Sequence, residues 1–390
     1  MTTDKPMNIA FLSTYPPREC GIASFTQDLV LQLQQIPATV NTRVIAVGNK
    51  QIPYDRRVML ELEQNDRKGY AAMARKINLS DIDLLVIEHE YDIYGGIASE
   101  YLMDLVNLLE IPFVTTFHTV LALPNERQRK MLHELGEKSE KVITMAQNSV
   151  AILTEVYNID PLKIEVIHYG VPDITMKPRE VLKKESGIEG RSIVSTFGLL
   201  SPGKGIEFGI EAIAQVAKTH PDVLYFIMGQ THPSVMMRSG EIYRKSLEAQ
   251  VSELGINGNV RFINKYLTKR EIIRCLKMSD VYMTPYLKND QAVSGTLAYA
   301  AGYGRVIVST PFSYAKEMLS GGRGLLTEFG NADSIADQIN FVLSHPDEKS
   351  KMEQKTLAVG ESMMWSIIAN KYKELFSSIL KHRDEAQVIA

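Results

Sequence analysis

Residues 168–190 read HYGVPDITMKPREVLKKESGIEG, and they interrupt a pattern. The stretch holds Pro172, Pro178 and a run of charges, with Glu180 near its middle and little apolar content, so it reads as a linker. Before it, short apolar runs at 7–13, 43–47, 84–88, 113–117, 141–145 and 163–168 alternate with amphipathic segments at 21–35, 96–109 and 126–137. After it the pattern restarts, with apolar runs at 192–198, 223–228, 259–263, 281–284, 306–309 and 324–327. Continuous apolar strands separated by helices specify βαβ units around a buried parallel sheet. Two such α/β halves joined at a linker predict a cleft between domains, with ligands held beyond the carboxyl ends of the strands.

The rest of the composition fits this reading. The chain has 390 residues, 45% of them hydrophobic and 23% charged, enough apolar material for two cores. A net charge of −3 gives no basic excess for nucleic acid and no acidic disordered character. Cys20 and Cys275 lie far apart and form no metal-type spacing, which points to a reducing compartment. The N-terminal MTTDKPMNIAFLST lacks the apolar stretch of a secretory signal, and no apolar run reaches membrane-spanning length. A soluble, cytoplasmic protein is expected. Near the other end, MMWSIIANKYKELFSSIL carries Trp365, Ile368, Tyr372 and Phe376 at helical spacing, which predicts one buried helix face.

Three segments look able to hold an anion on backbone N–H groups at a helix start. In the first half the strand ends at Ser13; Pro16-Pro17 stops it, and Gly21 permits close backbone approach. In the second half STFGLL leads into SPGKGIEFGIEAI, where Gly203 and Gly205 flank Lys204; an ordinary turn with a solvated lysine is the plainer alternative. The third segment is NDQAVSGTLAYAAGYGRVIVSTP, residues 289–311, in which Ser294-Gly295-Thr296 begins a small-residue helix and only Asp290 supplies an acid. Simple N-capping by Ser294 is the alternative there. None of these is a P-loop or a dinucleotide-binding fingerprint.

Among the histidines, His118 follows a strand in VTTFHTVLALP, placed to hydrogen-bond a ligand or shuttle a proton, unless it is a satisfied core residue. His89-Glu90 ends another strand before Gly95-Gly96 and is a candidate for the domain rim; His168 and Tyr169 fall at the junction, and His232 follows a third strand. No histidine pair has metal-ligand spacing, so no metal is expected. There is no G-x-S-x-G elbow or Cys/His nucleophile pair.

These motifs carry a family resemblance over nearly the whole chain. STYPPRECGIASFTQDL, TTFHTV, VIHYGVPD, FGLLSPGKGIEFGIEA, VLYFIMGQTHP, VRFINKYLTKREI, SDVYMTPYL and QAVSGTLAYAAGYGRVIVSTP, in that order, resemble the large family of retaining glycosyltransferases that includes sucrose synthase and bacterial mannosyl- and glucosyltransferases. The resemblance implies a GT-B fold: two Rossmann-like domains, an interdomain cleft and a C-terminal crossover helix. It implies an acceptor-side domain at 1–172, onto which helix 360–390 packs back, and a donor-binding domain at 173–359. It implies transfer of a hexosyl group, mannose or glucose, from a nucleotide sugar such as GDP-mannose, UDP-glucose or ADP-glucose to a carbohydrate acceptor, with retention and without a metal.

By the same resemblance, Gly21 approaches the donor phosphates or sugar, and His118 contacts the transferred sugar. Gly203 and Lys204 meet the departing diphosphate, which the amides of Ser294, Gly295, Thr296 and Leu297 hold. Asn264, Tyr266 and Leu267 bound the base, and Ala292 and Val293 lead into the phosphate loop; Gln291 is a catalytic candidate with His118 and Lys204, placed to hydrogen-bond the sugar hydroxyls as a neutral group. Arg18, His89, Glu90 and His232 are candidates for acceptor or sugar contacts. The chain departs from the family pattern at three positions. Gln291 and Tyr299 stand where two glutamates separated by seven residues are usual, and Leu199 stands in place of the usual arginine after Gly198. Two other functions remain compatible with these departures: a phosphorylase using a sugar 1-phosphate, and a sugar- or nucleotide-binding protein without activity.

Overall fold

The computed structural model describes residues 6–36, 39–49, 53–289 and 291–389; Asp290 lies outside the described residues. The chain divides into two compact units, Met1–Gly170 with Trp365–Ala390, and Val171–Met364.

The first unit is built on seven strands: β1 (Met7–Ser13), β2 (Val40–Gly48), β3 (Val58–Glu63), β4 (Leu84–His89), β5 (Phe113–Phe117), β6 (Lys141–Thr144) and β7 (Ile164–Val166). They run parallel in the order β3-β2-β1-β4-β5-β6-β7. Every residue of β4, LLVIEH, is buried, as expected of a strand covered on both faces. The second unit holds β8 (Ser192–Phe197), β9 (Val223–Met228), β10 (Val260–Ile263), β11 (Val281–Thr284), β12 (Val306–Ser309) and β13 (Gly324–Leu326). These are also parallel, in the order β10-β9-β8-β11-β12-β13. In each sheet the chain winds outward from a first strand in both directions. The order reverses beside β1 and beside β8, and loops leaving those points diverge and open a crevice.

Three expectations need correcting. β3 is an additional edge strand; VMLELE is largely half-exposed, so it lacks the continuous apolar run that marks a buried strand. The helix expected over 96–109 is a single 3-10 turn, Ile97–Ser99, and a short helix, Leu102–Val106. Gly96, Ala98 and Ser99 all have positive φ there, which no continuous helix accommodates. The linker contains a helix, Arg179–Glu185, with Leu182 buried. It is tied down by charge: Asp280, just ahead of β11, meets Lys183 at 2.8 Å, Arg179 at 3.4 Å and also Lys349, and accepts from the Ile193 amide at 2.8 Å. Burial alone would raise the Asp280 carboxyl, but the three cations outweigh it and hold it below its usual range.

The terminal helix, Trp365–Ile389, belongs to the first unit and buries Trp365, Ile368, Tyr372 and Phe376, the face the spacing predicts. Trp365 meets Phe25 edge-on at 5.1 Å, and Phe376 meets Phe11 at 6.5 Å. Gly170 is needed because a Cβ there would collide with the Trp365 indole.

Candidate active site

In the second unit, three segments converge where the strand order reverses. After β8 the chain turns at Gly198, whose φ is 130° and whose Cβ position lies 3.4 Å from the Thr296 methyl. It then makes a 3-10 turn, Pro202–Lys204, and enters the helix Ile206–Thr219 through Gly205. Gly205 has φ +61°, and a Cβ there would strike the Pro285 carbonyl, so the turn lies directly on the loop after β11. This places the Lys204 ammonium over the Tyr286 ring, 3.8 Å from its centroid. The Tyr286 hydroxyl pairs with the Thr296 hydroxyl at 2.9 Å, and Thr296 with that of Ser294 at 3.2 Å. Burial pushes the Tyr286 phenol up, but Lys204 and the hydroxyls of Thr296 and Ser294 outweigh it and bring it below its usual value. Phe312 stacks on the ring at 5.2 Å and fixes it.

The helix Gly295–Gly302 starts in this cluster with Ser294 as its cap. The Ser294 hydroxyl accepts from the Leu297 amide at 3.3 Å, so that amide is already used, and N-capping occurs as the plainer reading had it. The Gly295 and Thr296 amides precede any intrahelical partner and have no hydrogen bond among the described residues. Gly203 has nothing within 4 Å of its Cβ position, so backbone approach there is open. Gln291 turns its amide nitrogen to the Val293 carbonyl at 3.1 Å, and Ala292 is buried. Tyr299 is buried against Phe197, with ring centroids 6.3 Å apart. Asn264, Tyr266 and Leu267 follow β10 at the same carboxyl edge; Tyr266 is exposed and Leu267 buried. His232 caps the helix Pro233–Ser239, its Nδ1 accepting from the Ser234 amide at 3.2 Å.

In the first unit the corresponding edge is built from loops after β1, β4 and β5. Gly21 opens the helix Gly21–Leu33 and has nothing within 4 Å of its Cβ position; Cys20 caps that helix through its sulfur. Arg18 reaches Gln64 at 3.3 Å. His118 is 8% exposed, and its Nε2 lies 2.7 Å from Oε2 of Glu88, which is fully buried. Phe25 meets the imidazole edge-on at 4.9 Å. The neighbouring Thr119 hydroxyl donates to Glu90 at 2.6 Å; burial outweighs that bond and raises the Glu90 carboxyl.

Period-2 alternation explains the different fates of Glu88, His89 and Glu90. The two acids share one face and grip the end of β5. His89 points to the other, where it is enclosed by Tyr91, Tyr94 and Phe117. Both its ring nitrogens are buried without a partner among the described residues, and burial, reinforced by His118, lowers it to about 3. The expected rim position for His89 is therefore corrected: it is a neutral packing residue. Two residues that the sequence reading passed over, Glu88 and Tyr286, hold the key contacts. For Glu88 the signal was the acid-x-acid spacing at a strand end. For Tyr286 it was a position two residues past β11.

Family models match both units: "Glycosyltransferase Family 4" over residues 21–173 and "Glycosyl transferases group 1" over residues 178–358. The chain belongs to the GT-B glycosyltransferases. Among its relatives is a D-inositol 3-phosphate glycosyltransferase of Corynebacterium urealyticum, 24% identical over 310 residues, which are 75% of this chain and 71% of that one. Sucrose-phosphate synthase of Thermosynechococcus elongatus superposes with a TM-score of 0.78 at 15% identity, over 96% of this GT-B chain and 100% of its own. Anabaena HepE, solved with UDP-glucose, gives 0.72 at 17% identity, over 95% and 100%. At such identities the two structures bear on the fold alone. Among the described residues, no helix is long and apolar enough to cross a membrane.

Proposed function

We propose that the protein transfers a hexosyl group, glucose or mannose, from a nucleotide-diphosphate sugar to a carbohydrate acceptor with retention of anomeric configuration, in the cytoplasm. The observation that carries this reading is the cluster of Lys204, Tyr286 and Thr296 beside the first amides of the Gly295–Gly302 helix. A cation, hydroxyls and unspent amides at a sheet's reversal point suit a diphosphate. In the reaction the bond from the anomeric carbon to the phosphate oxygen breaks, and a bond to the acceptor oxygen forms on the same face. The acceptor's proton passes to the leaving phosphate, whose growing charge Lys204 and the amides stabilise without a metal. The histidine and acids of the first unit suit sugar hydroxyls.

A second reading, phosphorolysis through a sugar 1-phosphate, is favoured by one observation. Tyr299 supplies a ring packed on Phe197 where a carboxylate would bind a ribose. A single assay separates the two. UDP-glucose, GDP-mannose, ADP-glucose and the 1-phosphates of glucose and mannose are offered with a panel of mono- and disaccharides. Nucleoside diphosphate release matched to an α-linked product by NMR is expected; disaccharide cleavage that depends on inorganic phosphate would overturn it.

A further inference from the structure

We propose that Glu88 is a positioning residue, which holds His118 by Nε2 and thereby presents Nδ1 to the bound sugar; this rests on the transferase reading. Glu88 is fully buried and offers its carboxylate to one described side chain, His118, at 2.7 Å. Its second oxygen, Oε1, is buried without a partner among the described residues.

A structural acid in the same molecule looks different. Asp280 is also buried, but it is surrounded by Lys183, Lys349, Arg179 and the Ile193 amide. Asp280 is thus compensated as a buried charge must be to favour the fold; Glu88 is left half-satisfied. Glu88 has instead the geometry of an acid that orients an imidazole. A carboxylate has only acceptors, so the proton between the two sits on Nε2 whenever Glu88 is ionised. The ring is then pinned in one orientation by Glu88 and by the edge of Phe25.

Nδ1 of His118 has no protein partner among the described residues and is not fully buried. It is the ring nitrogen left for a hydroxyl. Glu90 repeats the arrangement just beyond, bonding Thr119, so Glu88 and Glu90 fix the first two residues of the loop after β5. Orientation of an imidazole by a carboxylate sets its tautomer and hence which atom meets the ligand.

The test uses the full-length protein with 15N-labelled histidine. In the wild type, the His118 resonances should report a protonated Nε2. Glu88→Gln keeps the shape and can donate as well as accept, so the Nδ1–H tautomer should gain population. Transfer should fall about tenfold to hundredfold, mainly in kcat, with the donor KM changed less than threefold. In the His118→Ala background, adding Glu88→Gln should cost under twofold, because a residue acting through His118 has nothing left to orient. Should Glu88→Gln fail to fold, Glu88→Asp, which shortens the reach by one methylene, is read by the same resonances. An unprotonated Nε2 in the wild type overturns the proposal, as does a Glu88→Gln loss that is undiminished in the His118→Ala background. If the wild type transfers no sugar from any donor, the transferase reading falls, while the resonances still decide whether Glu88 sets the tautomer.

Discussion

The carboxyl edges of the two sheets share a topology and differ in chemistry. Both sit where parallel strand order reverses, and in both a glycine with open space at its Cβ position, Gly21 or Gly203, begins the approach. Beyond β8 and β11 the side chains are a lysine on an aromatic face and a chain of hydroxyls leading to a helix start. At the ends of β4 and β5 they are a fully buried acid, Glu88, gripping an imidazole and a half-buried one, Glu90, gripping a threonine. One edge offers positive charge and donors, which suit phosphate. The other offers acceptors and an imidazole, which suit hydroxyls. The same architecture has been specialised by a handful of loop residues, as expected when function is grafted onto a scaffold.

Substitutions can break this contrast, and the largest effect is expected on the phosphate side. Lys204→Ala should reduce kcat/KM by ~2–4 kcal/mol of transition-state stabilisation with melting temperature preserved. Near-normal turnover of the variant would remove the lysine from the diphosphate site. On the hydroxyl side, His118→Ala should slow transfer about a hundredfold while calorimetry shows unchanged affinity for the bare nucleoside diphosphate. Loss of both together would mean that the two edges are not chemically separate.

A third measurement concerns stability, and its sign follows from burial. His89 is lowered from 6.5 to about 3, so below 6.5 the unfolded chain takes up a proton that the folded one refuses. Stability is therefore full above pH 6.5 and declines as pH falls toward 3. Between pH 7 and pH 5 the wild type should lose about 1–2 kcal/mol more than His89→Leu in urea unfolding. Equal losses would return His89 to a solvated role. The smallest effect belongs to Tyr286→Phe. It keeps the ring under Lys204 and deletes the bond to Thr296, so donor affinity should weaken by about 1 kcal/mol. A larger loss would show that the phenol itself touches the phosphate.

Much of this is legible in the sequence. The apolar runs of β1, β4, β5, β8, β9, β11 and β12 identify parallel strands because both faces of each are covered, and the linker composition marks the change of domain. The spacing of Trp365, Ile368, Tyr372 and Phe376 gives the buried face of the last helix. Glycine and lysine at strand ends mark the edge proposed here for phosphate because backbone approach and charge are properties of residue type. Local patterning carries all of these. It does not carry β3, whose half-exposed residues at a sheet edge lack a core signature, or the charge-anchored helix in the linker. Nor does it carry the pairing of Glu88 with His118, 30 residues apart, or of Lys204 with Tyr286. Those contacts exist only because parallel strands bring distant segments to one edge, and His89 is enclosed because of the side of β4 it takes.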